Sequence, residues 1–564
     1  MVVGIDLGTT HSLVAFWRDG VAHVVPNALG ETLTPSVVGL DDQGLVLVGD
    51  VARQRLQTHP HLSCELFKRY MGSQREVRLG ARMFRPEELS ALVLRSLKED
   101  VERFCGEPVT EAIISVPAYF SDAQRKATRV AGQLAGLRVE RLVNEPTAAA
   151  LAYGLQQRKE STFLVFDLGG GTFDVSILEM FDGVMEVRAT AGDNFLGGED
   201  FDEAIVAHVL ARQPGLRTAL DGDCSHLPAR LRGEARRVRH GLGEHERMTF
   251  LLQQDGRRWE ETITREQFQH LAEPLLERLR RPVERALRDA RIKAADLDEV
   301  VLVGGATRMP LVRRLVAGLF GRIPAMHLQP DQVVAQGAAV QAALKQRDAA
   351  LEDVVLTDVC PYTLGIETSV ELGRQLESGH YLPIIERNCT VPVSREKSIV
   401  TVHDGQTEVV VRIFQGENRL VKDNIFLGEL AIAVPPRKAE EVELRVRFTY
   451  DINGLLEADV HIPLTGEHHR LVIEHNPGVL APDEIAARLL ALAALKVHPR
   501  EQQVNTRVLA RIDRLYEESL GEARAHVAEL GRAFQQALES QDTARIDTLR
   551  AEIERQLDAF EGVL

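Results

Sequence analysis

Apolar runs of strand length alternate with helix-length amphipathic stretches over residues 1–351, a pattern typical of an α/β fold. Residues 121–137 illustrate a helix, with a capping Ser-Asp pair at the start and a glycine near the end. A longer amphipathic helix is predicted at 267–291. Pro274 and Pro282 should interrupt it, because proline removes a helical hydrogen bond.

The pattern changes beyond residue 351. A short apolar strip between acids occupies 353–359, and residues 360–473 show the period-two alternation of strands, joined by turns such as 451–454. The sequence therefore predicts an all-β domain after a linker.

A helical tail rich in Ala, Leu, Glu and Arg follows from about Pro482. Its three helix-length segments, 482–497, 501–538 and 542–561, suit a small bundle that buries one stripe of each helix. The predicted domain boundaries are 1–352, 353–359, 360–478 and 479–564.

Composition places the chain among ordinary globular proteins, with 44% hydrophobic and 27% charged residues. A net charge of −16 argues against general affinity for nucleic acid or anionic membranes. Apolar runs fall short of the ~20 residues that a membrane span needs, and no signal peptide is visible. Five cysteines without CxxC spacing indicate reduced thiols, so we expect a cytoplasmic protein.

Two glycine turns, Asp6–Thr10 and Asp167–Thr172, repeat one pattern between pairs of apolar runs. Strand, Asp-Leu-Gly turn and strand predict a β-hairpin. Glycine lets backbone N–H groups approach an anion, and a carboxylate beside that anion makes sense when a divalent cation lies between them. A single turn of this kind is equally well explained as an ordinary glycine-rich turn without a ligand. The pair predicts a polyphosphate and its metal held from both sides.

A third glycine turn, Gly304–Arg308, lies between a strand and a helix start. Close backbone approach there suits an adenosine, with Arg308 against the purine face. A glycine pair after a strand is also commonly just a tight turn. No GxxxxGK[ST] or GxGxxG sequence occurs, so neither a P-loop nor a Rossmann site is indicated.

Further motifs follow the order of one known family. They are Gly4–Thr10, Phe67–Arg69, Val116–Phe120, Asn144–Ala150, Asp167–Asp174, Leu196–Asp202, Val303–Pro310, Pro330–Asp331, Leu364–Thr368 and Gln415–Glu417. Over nearly its whole length the chain resembles the seventy-kilodalton heat-shock chaperones of the DnaK type. The resemblance implies an α/β actin-like ATPase of two lobes with an RNase H-like repeat, a linker, an all-β peptide-binding sandwich and an α-helical lid.

The same resemblance implies ATP/ADP and Mg²⁺ as cofactors, with K⁺ as a further candidate cation. It implies unfolded client polypeptides and a J-domain co-chaperone as partners of a monomeric protein. Whether a nucleotide-exchange factor is required stays open.

The resemblance assigns a hydrolysis site. Lys68 corresponds to a lysine that contacts the γ-phosphate and the attacking water, where a positioned cation matters for phosphoryl transfer; on its own it would be interpreted as a solvated lysine. Asp6 and Asp167 correspond to residues that hold Mg²⁺ mostly through water. The other implied residues are Glu145, Thr172 and Asp174 beside the γ-phosphate, with Gly8, Thr9, Thr10, His11, Gly169, Gly170, Gly171, Gly197 and Gly198 around the phosphates.

The implied adenosine site departs from the family's pattern. The family carries a second basic residue and a serine where the alignment places Val238 and Gly241. Either the site makes fewer contacts and exchanges nucleotide faster, or the alignment is one residue out. The implied adenosine contacts are Glu234, Arg237, Gly304, Gly305, Arg308 and Asp331.

The linker departs as well. The resemblance implies an apolar strip containing Leu356 and closed by Asp358, which docks on one lobe in one state and is solvated in the other. Thr357 replaces a leucine-like residue and should weaken docking by ~1 kcal/mol. Pro117 and Arg125 lie in a segment that resembles the family's switch between nucleotide and linker.

The resemblance implies a groove that binds an extended peptide beside β-strands. The alternative is that most of its apolar residues simply form the core of the sandwich. The stretch 370–382 is expected to be a lengthened loop, so client preference can differ from a generalist's. The implied pocket residues are Ile366, Thr368, Ile399, Val409 and Val411, with Ser369 and Val402 in an arch over the peptide.

The short stretch between Tyr70 and Pro86 and the tail most resemble HscC, a class of shorter bacterial paralogues. The first hypothesis is an ATP-dependent chaperone of unfolded clients, and the second a few-client chaperone with weak ATP–peptide coupling. A metabolite kinase on the actin-like scaffold has no need of the β-domain and lid. A filament protein requires self-complementary surfaces that nothing in the sequence suggests.

Overall fold

The structure is a computed structural model. It describes residues 1–564 except 155–159, 182–183, 221–226, 255, 326–328, 347–350, 352–354, 373–374, 453, 455, 474–499, 541–542 and 562–564. Within the described part, none of the helices combines the length and apolar character needed to cross a bilayer.

The first lobe, residues 1–144, is built on a six-stranded sheet. Its strands are β1 (Val2–Asp6), β2 (His11–Arg18), β3 (Val21–Val24), β4 (Thr34–Pro35), β10 (Glu111–Val116) and β11 (Arg138–Asn144). They run in the order β11-β10-β1-β2-β3, with β4 beside β2. The other elements are β5 (Val38–Leu40), β6 (Val46–Val48), α1 (Asp50–Thr58), β7 (Ser63–Cys64), a 3₁₀ turn (Phe67–Tyr70), β8 (Val77–Leu79), β9 (Arg82–Phe84), α2 (Pro86–Cys105) and α3 (Asp122–Leu134).

The second lobe, residues 161–325, repeats that topology. Its sheet contains β12 (Ser161–Leu168), β13 (Phe173–Phe181), β14 (Val184–Asp193) and β17 (Glu299–Val303). β17 lies parallel to β12 and two antiparallel pairings follow, just as β10 lies parallel to β1 in the first lobe. The remaining elements are α5 (Gly198–Arg212), α6 (Pro214–Leu220), α7 (Leu227–Glu244), β15 (Arg247–Gln254), β16 (Arg257–Thr264), α8 (Arg265–Ala290) and α9 (Pro310–Phe320).

Two helices, α4 (Glu145–Gly154) and α10 (Val333–Lys345), cross between the sheets. Gly337 allows this crossing, because a Cβ there would lie only 1.7 Å from the carbonyl oxygen of Ala148. Side chains from both sheets join the same core, including Ile113 and Val165. The two lobes therefore share a packed base, and a cleft opens above it.

Beyond the lobes, β18 (Val355–Val359) extends the second sheet. It lies parallel to β14 and antiparallel to β21 (Thr390–Val391). The linker is thus a strand docked on the second lobe. Two four-stranded sheets follow, β20-β19-β23-β24 and β22-β25-β26-β27. Their strands are β19 (Leu364–Leu372), β20 (Gln375–Ile385), β22 (Val393–Val400), β23 (Glu408–Gln415), β24 (Ile425–Ala433), β25 (Glu443–Tyr450), β26 (Leu456–Ile462) and β27 (Glu467–Val472).

The helical tail contains α11 (Arg500–Glu518), α12 (Gly521–Ser540) and α13 (Thr543–Glu561), which share a small apolar core. α11 lies against α1 of the first lobe. Arg507 Nε is 3.0 Å from Asp50 Oδ2, and Arg514 Nε donates to Gln54 Oε1 at 3.0 Å. The tail therefore packs on the first lobe.

Several sequence predictions need correction. Helix α8 is continuous through Pro274 and Pro282. Both prolines are tolerated in a helix whose buried stripe packs on β13 and β14. The predicted segment 501–538 is two helices, broken at 519–520, and 482–497 lies outside the described residues. The predicted loop 370–382 is instead the end of the β19–β20 hairpin.

Candidate functional site

The two glycine hairpins meet at the base of the cleft. β1–β2 and β12–β13 are both antiparallel hairpins, as their patterns predict. A Cβ on Gly170 would come within 2.2 Å of Thr10 Cγ2, and a Cβ on Gly171 within 2.5 Å of Thr9 Cγ2. Gly197 approaches the Gly170 backbone just as closely. These glycines are required because two lobes bring their turns into direct contact.

A cavity of about 390 Å³ lies between the hairpins. It brings together most of the residues predicted for phosphate, metal and adenosine. Those lining it are Asp6, Gly8, Thr9, Thr10, His11, Lys68, Glu145, Asp167, Gly169, Gly170, Thr172, Gly198, Gly304, Gly305, Arg308 and Asp331. Gly171, Gly197 and Asp174 lie behind this lining, in the hairpin contact and on β13.

Lys68 is buried at the centre of an acidic group. Its Nζ donates to Glu145 Oε1 at 2.9 Å, from a 3₁₀ turn of the first lobe to the start of α4. Asp6, Asp167 and Asp174 are the other carboxylates that act on this pair. Arg125 also acts on Asp174, so two cationic side chains face four acidic ones. Additional positive charge would be favourable here.

Burial shifts these acids strongly. Burial, with the charge of Glu145 next in size, raises the pKa of Asp6 to about 7 and that of Asp174 to about 8. Burial and Glu145 also raise the pKa of Asp167 well above its ordinary value. Asp6 Oδ1 accepts a 2.9 Å hydrogen bond from Ser115, and Asp174 Oδ1 accepts one from the Tyr119 N–H at 2.9 Å. A cation bound in the cavity would favour the ionised forms of Asp6 and Asp167, which line it.

His11 lies in the cleft beside the phosphate turns. Burial, then the charge of Arg53, lowers the pKa of His11 to about 3, so its imidazole is neutral. Within the part of the chain that the structure describes, no three acidic, histidine or cysteine side chains converge closely enough to ligate a metal directly. The carboxylates are thus spread around a wider space than a fully dehydrated ion fills.

The predicted adenosine residues divide between two cavities. Arg308 pairs with Asp331 at the cleft, where both were expected. Glu234 and Arg237 pair with each other instead, at 2.6 Å, and line a separate cavity of about 440 Å³ beneath the helical tail. The α7 residues that line the cleft are Arg236, Arg239 and His240. The structure therefore places Glu234 and Arg237 away from the cleft, and the arginine-rich repeat gives no local signal for the phase of this helix.

Ion pairs that sequence reasoning missed join the lobes across the cleft. Arg69 lies 2.5 Å from Asp200 of α5. Arg236 of α7 lies 2.7 Å from Glu199 and 3.3 Å from Glu65 of the first lobe. Arg69 and Asp200 lie within two of the family motifs, Phe67–Arg69 and Leu196–Asp202, so the sequence offered a signal for their pairing. Glu65 and Arg236 lie outside all of these motifs.

The cleft connects with the linker strand. Asn144, directly before Glu145, donates its side-chain amide to Asp358 Oδ2 at 2.7 Å. Arg125 donates to Asn144 Oδ1 at 2.7 Å and to the carbonyls of Ala118 and Phe120. Pro117 begins the turn that these carbonyls belong to, and Leu356 pairs with Met185 on β14. Arg125 and Asp358 are therefore joined through Asn144, with Pro117 in the adjoining turn and Leu356 on the docked strand.

A second connection starts at Asp174. Asp174 accepts from the Tyr119 N–H, and the Tyr119 ring lies 4.2 Å, centroid to centroid, from that of Tyr362. Tyr362 belongs to the part of the chain that holds the two four-stranded sheets, residues 360–473, here called the β-region. The Tyr362 hydroxyl donates to the Tyr119 carbonyl at 2.7 Å. Arg387 also donates to both carboxylate oxygens of Asp289 on α8, at 2.7 and 3.0 Å. The β-region is docked on both lobes.

The predicted peptide residues have mixed environments. Ile366 and Val411 are fully part of the sandwich core, and Ile399 and Val409 pack against that core. Val402 is 38% exposed, and Thr368 and Ser369 are half-buried at an irregularity of the β19–β20 pairing. The core interpretation holds for Ile366 and Val411.

Comparisons with known proteins find relatives over most of the chain. The profile of the family described as "Hsp70 protein" matches residues 2–82 and 74–562. The chain is 42% identical over 487 residues to the "Chaperone protein DnaK" of Thermotoga neapolitana, covering 84% of this chain and 80% of that relative. It is 41% identical to the protein of that name from Thermosipho melanesiensis, with the same coverage. It is 39% identical to the "Chaperone protein dnaK3" of Thermosynechococcus vestitus, covering 99% of this chain and 87% of that relative.

Proposed function

The chain belongs to the Hsp70 family, and we propose that the cleft between its two glycine hairpins is the ATPase centre. The protein is an ATP-dependent molecular chaperone, and its hydrolysis of ATP to ADP and phosphate drives a chaperone cycle. The observation that carries the assignment of the centre is the buried Lys68–Glu145 pair among three further carboxylates.

In this proposal Lys68 supplies positive charge at the γ-phosphate and orients the attacking water. Hydrolysis depends on positioning and on charge stabilisation, so a fixed, dehydrated cation is effective there. Glu145 holds Lys68 in place, and Asp174 with Glu145 provides the acceptors for a water molecule. Thr172 lines the cavity from the second hairpin and approaches the same phosphate from the opposite side.

The carboxylates fit Mg²⁺, which would neutralise charge on the β- and γ-phosphates. Asp6 is the last residue of β1 in the first hairpin, and Asp167 lies near the end of β12 in the second hairpin. Both line the cavity. Their excess negative charge over Lys68 is the reason that a divalent cation suits the site. Mg²⁺ keeps much of its water, so these residues would hold it largely through that water. K⁺ is a second candidate cation for the remaining acidic charge.

The adenosine would lie between Arg308 with Asp331 on one side and the cleft face of α7 on the other. Gly304 and Gly305 permit close approach, and Gly304 has a positive φ of 82°. The adenosine contacts expected of Glu234 and Arg237 are instead proposed for Arg236, Arg239 and His240. These three residues line the same cavity as the phosphate turns.

We assign 1–352 to an actin-like, RNase H-like ATPase domain, 353–359 to the linker, 360–478 to the β-sandwich and 479–564 to a helical lid. The repeated sheet topology supports the first assignment. The contacts of Asp358 and Tyr362 support coupling of the cleft to a peptide groove that uses Thr368, Ser369, Ile399, Val402 and Val409. A monomer that works in the cytoplasm with a J-domain co-chaperone completes the proposal.

A narrower second proposal is a few-client chaperone with weak coupling, as expected for the HscC class. One observation favours it. The Thr357 hydroxyl oxygen is buried in the docked linker and has no hydrogen-bond partner among the residues that the structure describes, which disfavours docking.

Single-turnover hydrolysis with and without a J-domain protein tests the proposed function. Stimulation of hydrolysis, together with faster release of a fluorescent apolar peptide on addition of ATP, is the expected result. Hydrolysis without either effect would leave an ATPase with no chaperone cycle and would contradict the coupling. ATP consumption in proportion to added glucose or glycerol would favour a kinase.

A further inference from the structure

Two cysteines face each other where the linker strand enters the β-region. β18 pairs with β21 as far as Val359 opposite Thr390, so the next positions are Cys360 and Cys389. The Cys360 N–H donates to the Cys389 carbonyl at 2.9 Å, and the Asn388 N–H donates to the Cys360 carbonyl at 2.7 Å. The ladder therefore continues through both cysteines.

This pattern is a β-bulge, in which Asn388 and Cys389 together oppose Cys360. Asn388 has a φ of 63°, the left-handed conformation that the first bulge residue adopts. Opposed residues of an antiparallel ladder point to one face, with Cβ atoms about 4.5–5.5 Å apart. A disulfide needs Cβ atoms about 3.5–4.5 Å apart. In a regular ladder, an approach of about 1 Å would therefore bring such a pair to bonding distance.

The environment of the two thiols is shared but unequal. Cys360 belongs to the sandwich core and Cys389 packs against that core, so both side chains lie on the same side of the ladder. Cys360 is fully buried, whereas Cys389 is partly exposed. Burial, with Cys389 as a smaller cause in the same direction, raises the pKa of Cys360 to about 12. An oxidant would therefore reach Cys389 first.

We propose that Cys360 and Cys389 form a disulfide in response to peroxide. The Cys389 sulfur attacks one oxygen of hydrogen peroxide; the O–O bond breaks, giving a sulfenic acid and water. The Cys360 sulfur then attacks the Cys389 sulfur, the S–O bond breaks, and the leaving hydroxide takes the Cys360 proton to form the second water. The two thiols lose two electrons, and the peroxide gains them.

The bulge also anchors the β-region to the second lobe. The Asn388 side chain accepts from the Thr190 N–H at 2.9 Å and donates to Asp289 at 3.0 Å. A disulfide would tie the end of the linker to this anchoring segment. It would favour the docked arrangement, in which β18 lies between β14 and β21. This consequence rests on the proposed coupling between docking and peptide affinity; formation of the bond does not.

The test is peroxide treatment of the full chain, alkylation of the remaining thiols and non-reducing tryptic mass spectrometry. Cleavage after Arg347, Arg374, Arg387 and Arg395 separates the cysteines into peptides 348–374 and 388–395. The expected product is these two peptides joined, in the wild type and in Cys105→Ser. It should be absent from Cys389→Ser, which keeps the core residue Cys360 intact. Absence of the joined peptides from oxidised wild type would overturn the proposal.

Peptide release from the same samples tests the consequence. Oxidised wild type with ADP should release peptide roughly tenfold faster than reduced wild type, with reversal by dithiothreitol and no change in Cys389→Ser. Unchanged release after the joined peptides have formed would overturn the effect on docking. If reduced protein shows no acceleration by ATP, the proposed coupling itself fails, whereas the mass-spectrometric result is unaffected.

Discussion

The Asp358 carboxylate accepts a 2.7 Å hydrogen bond from the side chain of Asn144, the residue before Glu145. Glu145 in turn holds Lys68 in the cleft at 2.9 Å. The linker acid and the proposed catalytic lysine are therefore joined by two hydrogen bonds and one peptide bond. A change at either end has a short physical path to the other.

Asp358→Asn tests the linker end of this path. The amide keeps the size of the carboxylate but loses the charge that faces Arg125 and Arg141. Docking should weaken by about 1–2 kcal/mol, since hydrogen bonds to charged groups are stronger than neutral ones. We expect a reduced ATP-induced increase in peptide off-rate, measured by stopped-flow fluorescence. Asp404→Asn, in an exposed turn of the β-region, should leave that increase unchanged. An equal loss in both variants would contradict the path.

Lys68→Ala tests the cleft end. Removing the buried cation should slow single-turnover hydrolysis by about 10²–10³-fold, as loss of a transition-state contact does. ATP binding should persist, because the glycine turns, Arg308 and Asp331 remain. Lys293→Ala, at an exposed lysine, is the control. Phosphate release at the wild-type rate would refute the role of Lys68.

Arg236→Ala and Arg237→Ala form a matched pair that tests the position of the adenosine site. Arg236 lines the cleft and lies between Glu65 and Glu199 of opposite lobes, whereas Arg237 lies outside the cleft. We expect Arg236→Ala to accelerate release of a fluorescent ADP analogue by roughly tenfold, equivalent to loss of about 1.4 kcal/mol. Arg237→Ala should release it at the wild-type rate. Faster release from Arg237→Ala with unchanged release from Arg236→Ala would instead support an adenosine site at Glu234 and Arg237.

The local hairpins could be predicted from sequence because Asp6–Thr10 and Asp167–Thr172 carry their turn chemistry in consecutive residues. The phase of α7 could not be predicted in the same way. Arginines at 236, 237 and 239 leave more than one face basic, and packing against α5 and β15 decides which face meets the cleft. Pro274 and Pro282 show the converse, since tertiary packing keeps α8 continuous against local preference. The ion pair between Arg387 and Asp289 joins residues far apart in the chain, and no local sequence pattern predicts such a pair.

Thr357 tests the linker at the residue that departs from the family's pattern. It pairs with Glu186 on β14, and within the described part of the chain its buried hydroxyl has no hydrogen-bond partner. Thr357→Val keeps the shape and removes the unsatisfied hydroxyl, so docking should strengthen by about 1 kcal/mol, roughly fivefold in the docking equilibrium. The ratio of peptide off-rates with ATP and with ADP should rise accordingly. Thr357→Ser keeps the hydroxyl and loses the methyl group, and it should lower that ratio. An increase in both variants would show that the hydroxyl does not limit docking.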